Sequence, residues 1–285
     1  MIFPFHDDNP IRRTPFVTFA IIGVNAVVFL GSIQLSPVDR GVLWYVRGFV
    51  PARIAGLIDD EPPEVDPRTV PPELRERLLA IDANRDVVVL RPLPQRQTLL
   101  SLLTCMFLHG GWLHVIGNMW FLWVFGNNVE DRLGHVAFLL FYLLGGLFAS
   151  ACHWMIAPNS TTPVIGASGA VATILGAYAI TWPWARVRSL VFLFVIITVI
   201  DLPALFVLGV WFLVQLVSAT NAADLEMGGG VAWWAHVGGF LAGLVLMPLL
   251  SSLAGPTDDD QPSDPSEFFG FGQSDDYRRP DDHHF

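Results

Sequence analysis

The chain has 285 residues, of which 53% are hydrophobic and only 15% charged, against about 25% charged in a soluble domain. That balance excludes an ordinary soluble protein, and no basic patch points to nucleic acid. The net charge of −10 says little about partners, because much of it sits in the last stretch, Thr257 to Phe285.

Arg12 and Arg13 precede an apolar run from Phe16 to Leu35. The run is long for a signal peptide, and no small-x-small cleavage site ends it. It reads as a first spanning helix, about Phe16–Ile33, behind a cytoplasmic N-terminus of residues 1–15. Residues 36–98 form a long extracytoplasmic first loop. Within it, 72–79 reads as a short amphipathic helix, Val87 to Leu90 as a short strand, and the Pro- and acid-rich stretch from Asp59 to Pro72 as flexible linker.

Five more spans follow, since about 20 apolar residues cross a bilayer. The second is about Leu113–Val129, the third about Val136–Ile156, and the fourth runs from near Ser168 to near Thr181. The fifth lies within Leu190–Ala219 and the sixth is about Val231–Leu250. Thirty residues of helix would measure about 45 Å against a hydrocarbon core of about 30 Å. Asp201-Leu202-Pro203 interrupts that run, and the residue before a proline avoids helical angles. An interfacial or broken segment before Pro203 and a span after it are therefore expected. Residues 254–285, rich in Asp, Pro, Ser and Gly, read as a disordered acidic tail. Its Phe268-Phe269-Gly270-Phe271 is read as part of a solvated tail rather than a docking motif. Cys105 and Cys152 read as small buried residues, not as a disulfide or metal site.

Arginine in short loops sets orientation. Arg12/Arg13, Arg132 and Arg186/Arg188 fall on one side of a six-span chain, which makes both termini cytoplasmic. The first loop holds nine Arg and ten acids, but loops of that length weigh little in this rule.

Polar groups inside a membrane are costly and point to function. Three clusters stand out, each near the start of an even-numbered span. The first is His109-Gly-Gly-Trp-Leu-His114 with Asn118, where His114 and Asn118 share a helix face. The second is Gly166-Ala167-Ser168-Gly169-Ala170, and the third Ala235-His236-Val237-Gly238-Gly239-Phe240. All three helices run inward, which sets the clusters at similar depth, about 5–10 Å below the outer surface. Singly, Ser168 reads as a packing residue, Asn118 as glue between helices and His109 as a structural cap. Together, one serine, two histidines and an asparagine are the inventory for acyl transfer: a nucleophile, a base and oxyanion donors. Gly239 and Gly243, with Ala172 and Gly176, are small enough to let the helices of His236 and Ser168 approach closely. No acid completes a triad. Asp201 is placed near the cytoplasmic boundary, and Ala172, one turn after Ser168, cannot orient an imidazole. A Ser–His dyad is expected, with His236 held by packing and solvent contacts.

These three motifs, in this order and each on its own span, resemble the signatures of rhomboid intramembrane proteases over about residues 10–250. The resemblance implies an all-α membrane protein with a six-helix bundle over 16–253. It implies a serine endopeptidase that cleaves transmembrane or membrane-anchored proteins. Ser168 would be the nucleophile and His236 the base. Asn118, His114 and the Ser168 backbone N–H would hold the oxyanion, with His109, Gly166, Gly169 and Gly239 in support. Single-span membrane proteins are the implied substrates and the lipid bilayer the surroundings. No metal or cofactor and no nucleic acid are expected, and a bacterial inner membrane is the expected location. Two departures stand out. A Trp-Arg pair common in the family's first loop is replaced by Leu100-Ser101, and an aromatic that stacks on the histidine in some members is replaced by Ala172. Two other readings compete: an inactive relative that binds membrane proteins without cutting them, and a small transporter, which would show inverted repeats or charges at mid-depth.

Overall fold

A computed structural model describes residues 2–82, 87–193, 196–224 and 232–254. The acidic tail expected from 254 onward lies outside the described residues, apart from its first residue, which ends the last helix. Helices overlap the stretches read as spans: α1 (Phe16–Ser32), then, beyond the first loop, α6 (Trp112–Leu133), α7 (His135–Ile156), α8 (Ser168–Thr181), α9 (Ala204–Asp224) and α10 (Trp233–Ala254). By length and composition, three of the described helices can cross a membrane: α7, α9 and α10. The number is four if α6 and the helix before it, bent by 79° at the break between them, form one span. α1 and α8 are shorter apolar helices.

α8 is the axis of the fold. Every residue from Ala170 to Ala179 is buried, as fits a helix that is apolar all round. α6, α7, α9 and α10 pack against it, and it ends where Trp182-Pro183 breaks the helical pattern. Its contact with α10 is made by backbone. A Cβ on Gly176 would overlap the Phe240 carbonyl oxygen, one on Gly239 that of Gly169, and one on Gly243 that of Thr173. Without side chains between them the two helices close to backbone contact, the usual role of small residues in membrane helix packing.

The all-α expectation needs correction. β1 (Ile2–Asp7), β4 (Arg186–Leu193) and β5 (Ile196–Pro203) form an antiparallel sheet in the order β1-β4-β5. β4 buries Val187, Ser189 and Val191 while Arg186 and Arg188 face out, the period-two pattern of a half-buried strand. The first half of the apolar run 190–219 is therefore largely strand, and α9 starts directly after Pro203. The N-terminal strand is fastened to α6 and α8. The Trp120 indole N–H donates to Pro4 O at 2.7 Å, while Tyr178 Oη and Asn128 Nδ2 donate to Asp7 Oδ2 at 2.6 and 2.7 Å. Glu130, buried at the end of α6, accepts from Val17 N, Thr18 N and Thr18 Oγ1, filling orphan donors at the start of α1.

The first loop has its own small core. α2 (Pro37–Arg47), α3 (Pro51–Asp59), α4 (Pro72–Leu78) and the hairpin β2 (Leu79–Asp82) with β3 (Val87–Leu90) precede α5 (Gln95–Thr104). Tyr45, Val50, Val65, Val70, Leu74, Leu78 and Leu90 pack together. The expected linker from Asp59 to Pro72 is thus part of a folded unit. Val65 N donates to Val88 O at 2.9 Å, which draws the stretch onto the hairpin. This unit grips the segment before α8: Phe49 and Val164 exchange both backbone hydrogen bonds, and Ala52 N donates to Ser160 O.

Candidate active site

The chain enters α8 through a strained turn. Gly166 has φ +124°, a region closed to L side chains, and its N–H donates to Cys105 O at 2.9 Å. A Cβ there would sit 2.6 Å from His114 Nε2, so the absence of a side chain lets the backbone pass directly beside that imidazole. Ser168 then opens the helix, where the first backbone N–H groups have no helical acceptors.

Three helix starts converge on Ser168. His236, near the start of α10, places Nε2 2.7 Å from Ser168 Oγ. His114 and Asn118 come from the first two turns of α6. Ser168, His236, His114, Asn118 and the Gly166 backbone line one cavity of about 540 Å³. Asn118 is 9% exposed, and among the described residues its Nδ2 has no hydrogen-bond partner. An orphaned buried donor costs free energy unless something accepts from it, so this amide is set to receive an acceptor in the cavity. His114 Nδ1 accepts from Gly110 N at 3.4 Å, which leaves Nε2 as the nitrogen that bears hydrogen and faces the Gly166 turn.

The remaining expected residues play quieter parts. His109 is buried, does not line the cavity, stands edge-on to the His114 ring at 5.0 Å, and lies 3.5 Å from Ala167 N. Gly169 and Gly239 form the α8–α10 contact beside Ser168 and His236. Asp201 pairs with Arg188 across the β4–β5 hairpin at 3.1 Å and does not line the cavity.

One expectation about His236 is corrected. Its ring is held by more than packing and solvent: Nδ1 lies 2.8 Å from Oε1 of Gln215 on α9. Trp211, one turn earlier on α9, has its ring centroid 6.1 Å from the imidazole, and Trp233 stands edge-on at 5.8 Å. Indoles from α9 and α10 thus flank the imidazole where Ala172 offers no aromatic. Sequence reasoning missed Gln215. Its signal was present, an uncharged polar residue in an apolar span, but the broken run left its helix face undefined.

Among the described residues no group of three or more His, Cys, Asp or Glu is placed to hold a metal ion. Hydroxyl, imidazole and amide donors in one cavity suit nucleophilic acyl chemistry.

Comparison with known proteins identifies the family of the chain. The Rhomboid domain model matches residues 96–253. Rhomboid-like protein 11, chloroplastic, of Arabidopsis thaliana is 31% identical over 162 residues, 52% of this chain and 51% of that protein. Presenilin-associated rhomboid-like protein A, mitochondrial, of Danio rerio is 32% identical over 89 residues, 30% of this chain and 23% of its own length. The corresponding Homo sapiens protein is 31% identical over 103 residues, 35% of this chain and 27% of its own length. The chain thus spans about half or less of these curated relatives. Their names place them in chloroplasts and mitochondria, which gives no support to a bacterial inner membrane. The matched region contains α6 to α10, the cavity and all three motifs, and on this ground the chain belongs to the rhomboid family, with the apolar helices of a multi-pass membrane protein.

Proposed function

We propose that this chain is an intramembrane serine endopeptidase. Ser168 is the nucleophile and His236 the general base. Membrane-anchored proteins with a single span are the substrates, and α1 and α6 to α10 all cross the bilayer with both termini cytoplasmic. The observation that carries the reading is the 2.7 Å approach of Ser168 Oγ to His236 Nε2 inside a cavity that also holds Asn118 Nδ2, which has no hydrogen-bond partner among the described residues.

The steps follow from the positions. His236 Nε2 takes the Ser168 hydroxyl proton as Oγ attacks the scissile carbonyl carbon. The carbonyl oxygen becomes an oxyanion, and Asn118 Nδ2, His114 Nε2–H and the Ser168 backbone N–H donate to it. Fixed donors aimed at developing charge usually lower the barrier more than any other single effect. The proton on Nε2 then passes to the leaving amine as the C–N bond breaks. Water repeats the sequence on the acyl-enzyme and releases the second product with Ser168 restored. His109 and the glycines at 166, 169 and 239 support this site by keeping loop and helices close.

Cleavage of a single-span substrate by purified protein in detergent tests the reading. Wild type cleaves, and Ser168→Ala and His236→Ala do not. Folded wild type that cleaves none of several substrates would instead point to a binding role, and cleavage surviving Ser168→Ala would displace Ser168 as nucleophile.

A further inference from the structure

The imidazole of His236 has two nitrogens, and only one tautomer is productive. Nε2 must carry the lone pair if it is to accept the Ser168 proton, so hydrogen must sit on Nδ1. Nothing in the Ser168–His236 pair enforces this, because a hydroxyl both donates and accepts. The partner on the other nitrogen decides.

We propose that Gln215 is a positioning residue for the dyad. Its side-chain oxygen accepts Nδ1–H of His236 and holds the imidazole in the tautomer and orientation that accept the serine proton. The assignment rests on the protease reading above and deepens it.

Several observations carry it. Gln215 Oε1 lies 2.8 Å from Nδ1. Gln215 is 7% exposed, while its helix neighbours Leu213, Val214 and Val217 are all more than half exposed. α9 therefore turns one polar side chain inward and leaves aliphatic ones outward, a costly placement unless the amide is paired. Trp211 lies four residues earlier on the same face and packs near the same ring, so one stripe of α9 fixes the imidazole by contact and by hydrogen bond. Among the described residues that line the cavity there is no carboxylate, so no acid competes for the orienting role. An amide oxygen serves it without placing a second charge in a low-dielectric site. When Nε2 gains the proton, the same oxygen faces the imidazolium and stabilises it.

The test uses the full chain in detergent and a fluorophosphonate probe, whose phosphorus is attacked by Ser168 Oγ with loss of fluoride. The probe reads activation of the nucleophile without any protein substrate. Wild type is expected to label at Ser168. Gln215→Leu should label about 10- to 100-fold more slowly, with an equal loss in kcat for a cleaved substrate and little change in KM. Gln215→Glu, which keeps an acceptor at the same reach, should recover most of the rate. Nitrogen NMR of the wild-type imidazole should show hydrogen on Nδ1, a reading that does not depend on whether the Leu variant folds. Wild type labelling at the same rate as folded Gln215→Leu, or a Glu variant as slow as Leu, would overturn the assignment and leave the protease reading standing, whereas hydrogen on Nε2 in wild type would overturn the assignment and, with it, His236 as the resting base. Wild type that neither labels nor cleaves would overturn both.

Discussion

α10 meets its two neighbours by different means. Toward α8 it presents Gly239 and Gly243, and the backbones touch without side chains between them. Toward α9 it presents Phe240 and His236, and the contact is made by rings and one hydrogen bond: Phe240 stacks on Phe212 at 4.6 Å and lies 6.1 Å from Trp211, while His236 meets Gln215. A backbone contact cannot rotate away, whereas a side-chain contact can. Ser168 and His236 are thus brought together across a rigid joint, while Gln215, on the other side of the His236 ring, reaches in from a helix with much of its surface outside the bundle. The contact between Ser168 and His236 is set by packing, and the contact on the other side of the His236 ring by a more adjustable element.

Substitutions at the joint should have the largest effect. Gly243→Leu would drive a side chain into the Thr173 carbonyl, which is fixed by its helix. A loss of about 3 kcal/mol or more is expected, the upper end of overpacking, together with loss of activity. Thermal unfolding in detergent would check it, and a variant as stable as wild type would break the contrast between the two contacts.

The far end of α8 offers a titratable counterpart to this uncharged joint. There Tyr178 donates to the buried Asp7 carboxylate. Desolvation outweighs that hydrogen bond and pushes the Asp7 carboxyl up to about 6 from its ordinary 3.8. The folded state therefore binds the proton more tightly than the unfolded chain. The stabilisation is fully present below about pH 3.8 and is lost as pH rises through 6, up to about 3 kcal/mol in all. Asp7→Asn should flatten the pH dependence of unfolding between 4 and 6. An unchanged slope would mean that Asp7 does not titrate there.

A smaller effect is expected where α10 meets α7. A Cβ on Gly238 would overlap Cys152 Cβ, which is side chain and not a carbonyl. Gly238→Ala should destabilise, and Cys152→Gly in the same chain should recover part of the loss, a coupling of about 1–2 kcal/mol in a double-mutant cycle. Simple additivity would show that α7 already moves aside. Phe212→Leu, which removes the ring pair and keeps apolar bulk in its place, should cost least, about 1 kcal/mol. A loss equal to that of Gly243→Leu would mean that the α9 contact is as unforgiving as the joint.

Much of the site was legible in the sequence because membrane chemistry exposes it. Ser168, His236, His114 and Asn118 are polar groups at helix starts in otherwise apolar runs, and the glycines beside them announce close approach. Gln215 escaped because its run began as strand. Val187 to Val191 and Ile197 to Ile200 are rich in β-branched and large apolar residues that hydropathy alone reads as span, and a short apolar run does not reveal its period. Pairing of Val187 with Asp7 and of Val191 with Ile2, partners about 180 residues away in sequence, decides for sheet. The stretch around Val65 and Val70 likewise looked like linker from its prolines and acids, and only the hairpin it packs on makes those valines core.

The sequence by itself determined that the chain belongs to a bilayer, where its apolar helices begin, and which polar groups stand at their mouths. Length, hydropathy and helical spacing are local properties, and they suffice for that. The tertiary structure alone decided which nitrogen of His236 faces Ser168, which side chain takes the other nitrogen, and that a strand from the N-terminus fastens to α6 and α8. Each of these depends on the relative rotation of helices or the register of strands, and no local pattern carries either.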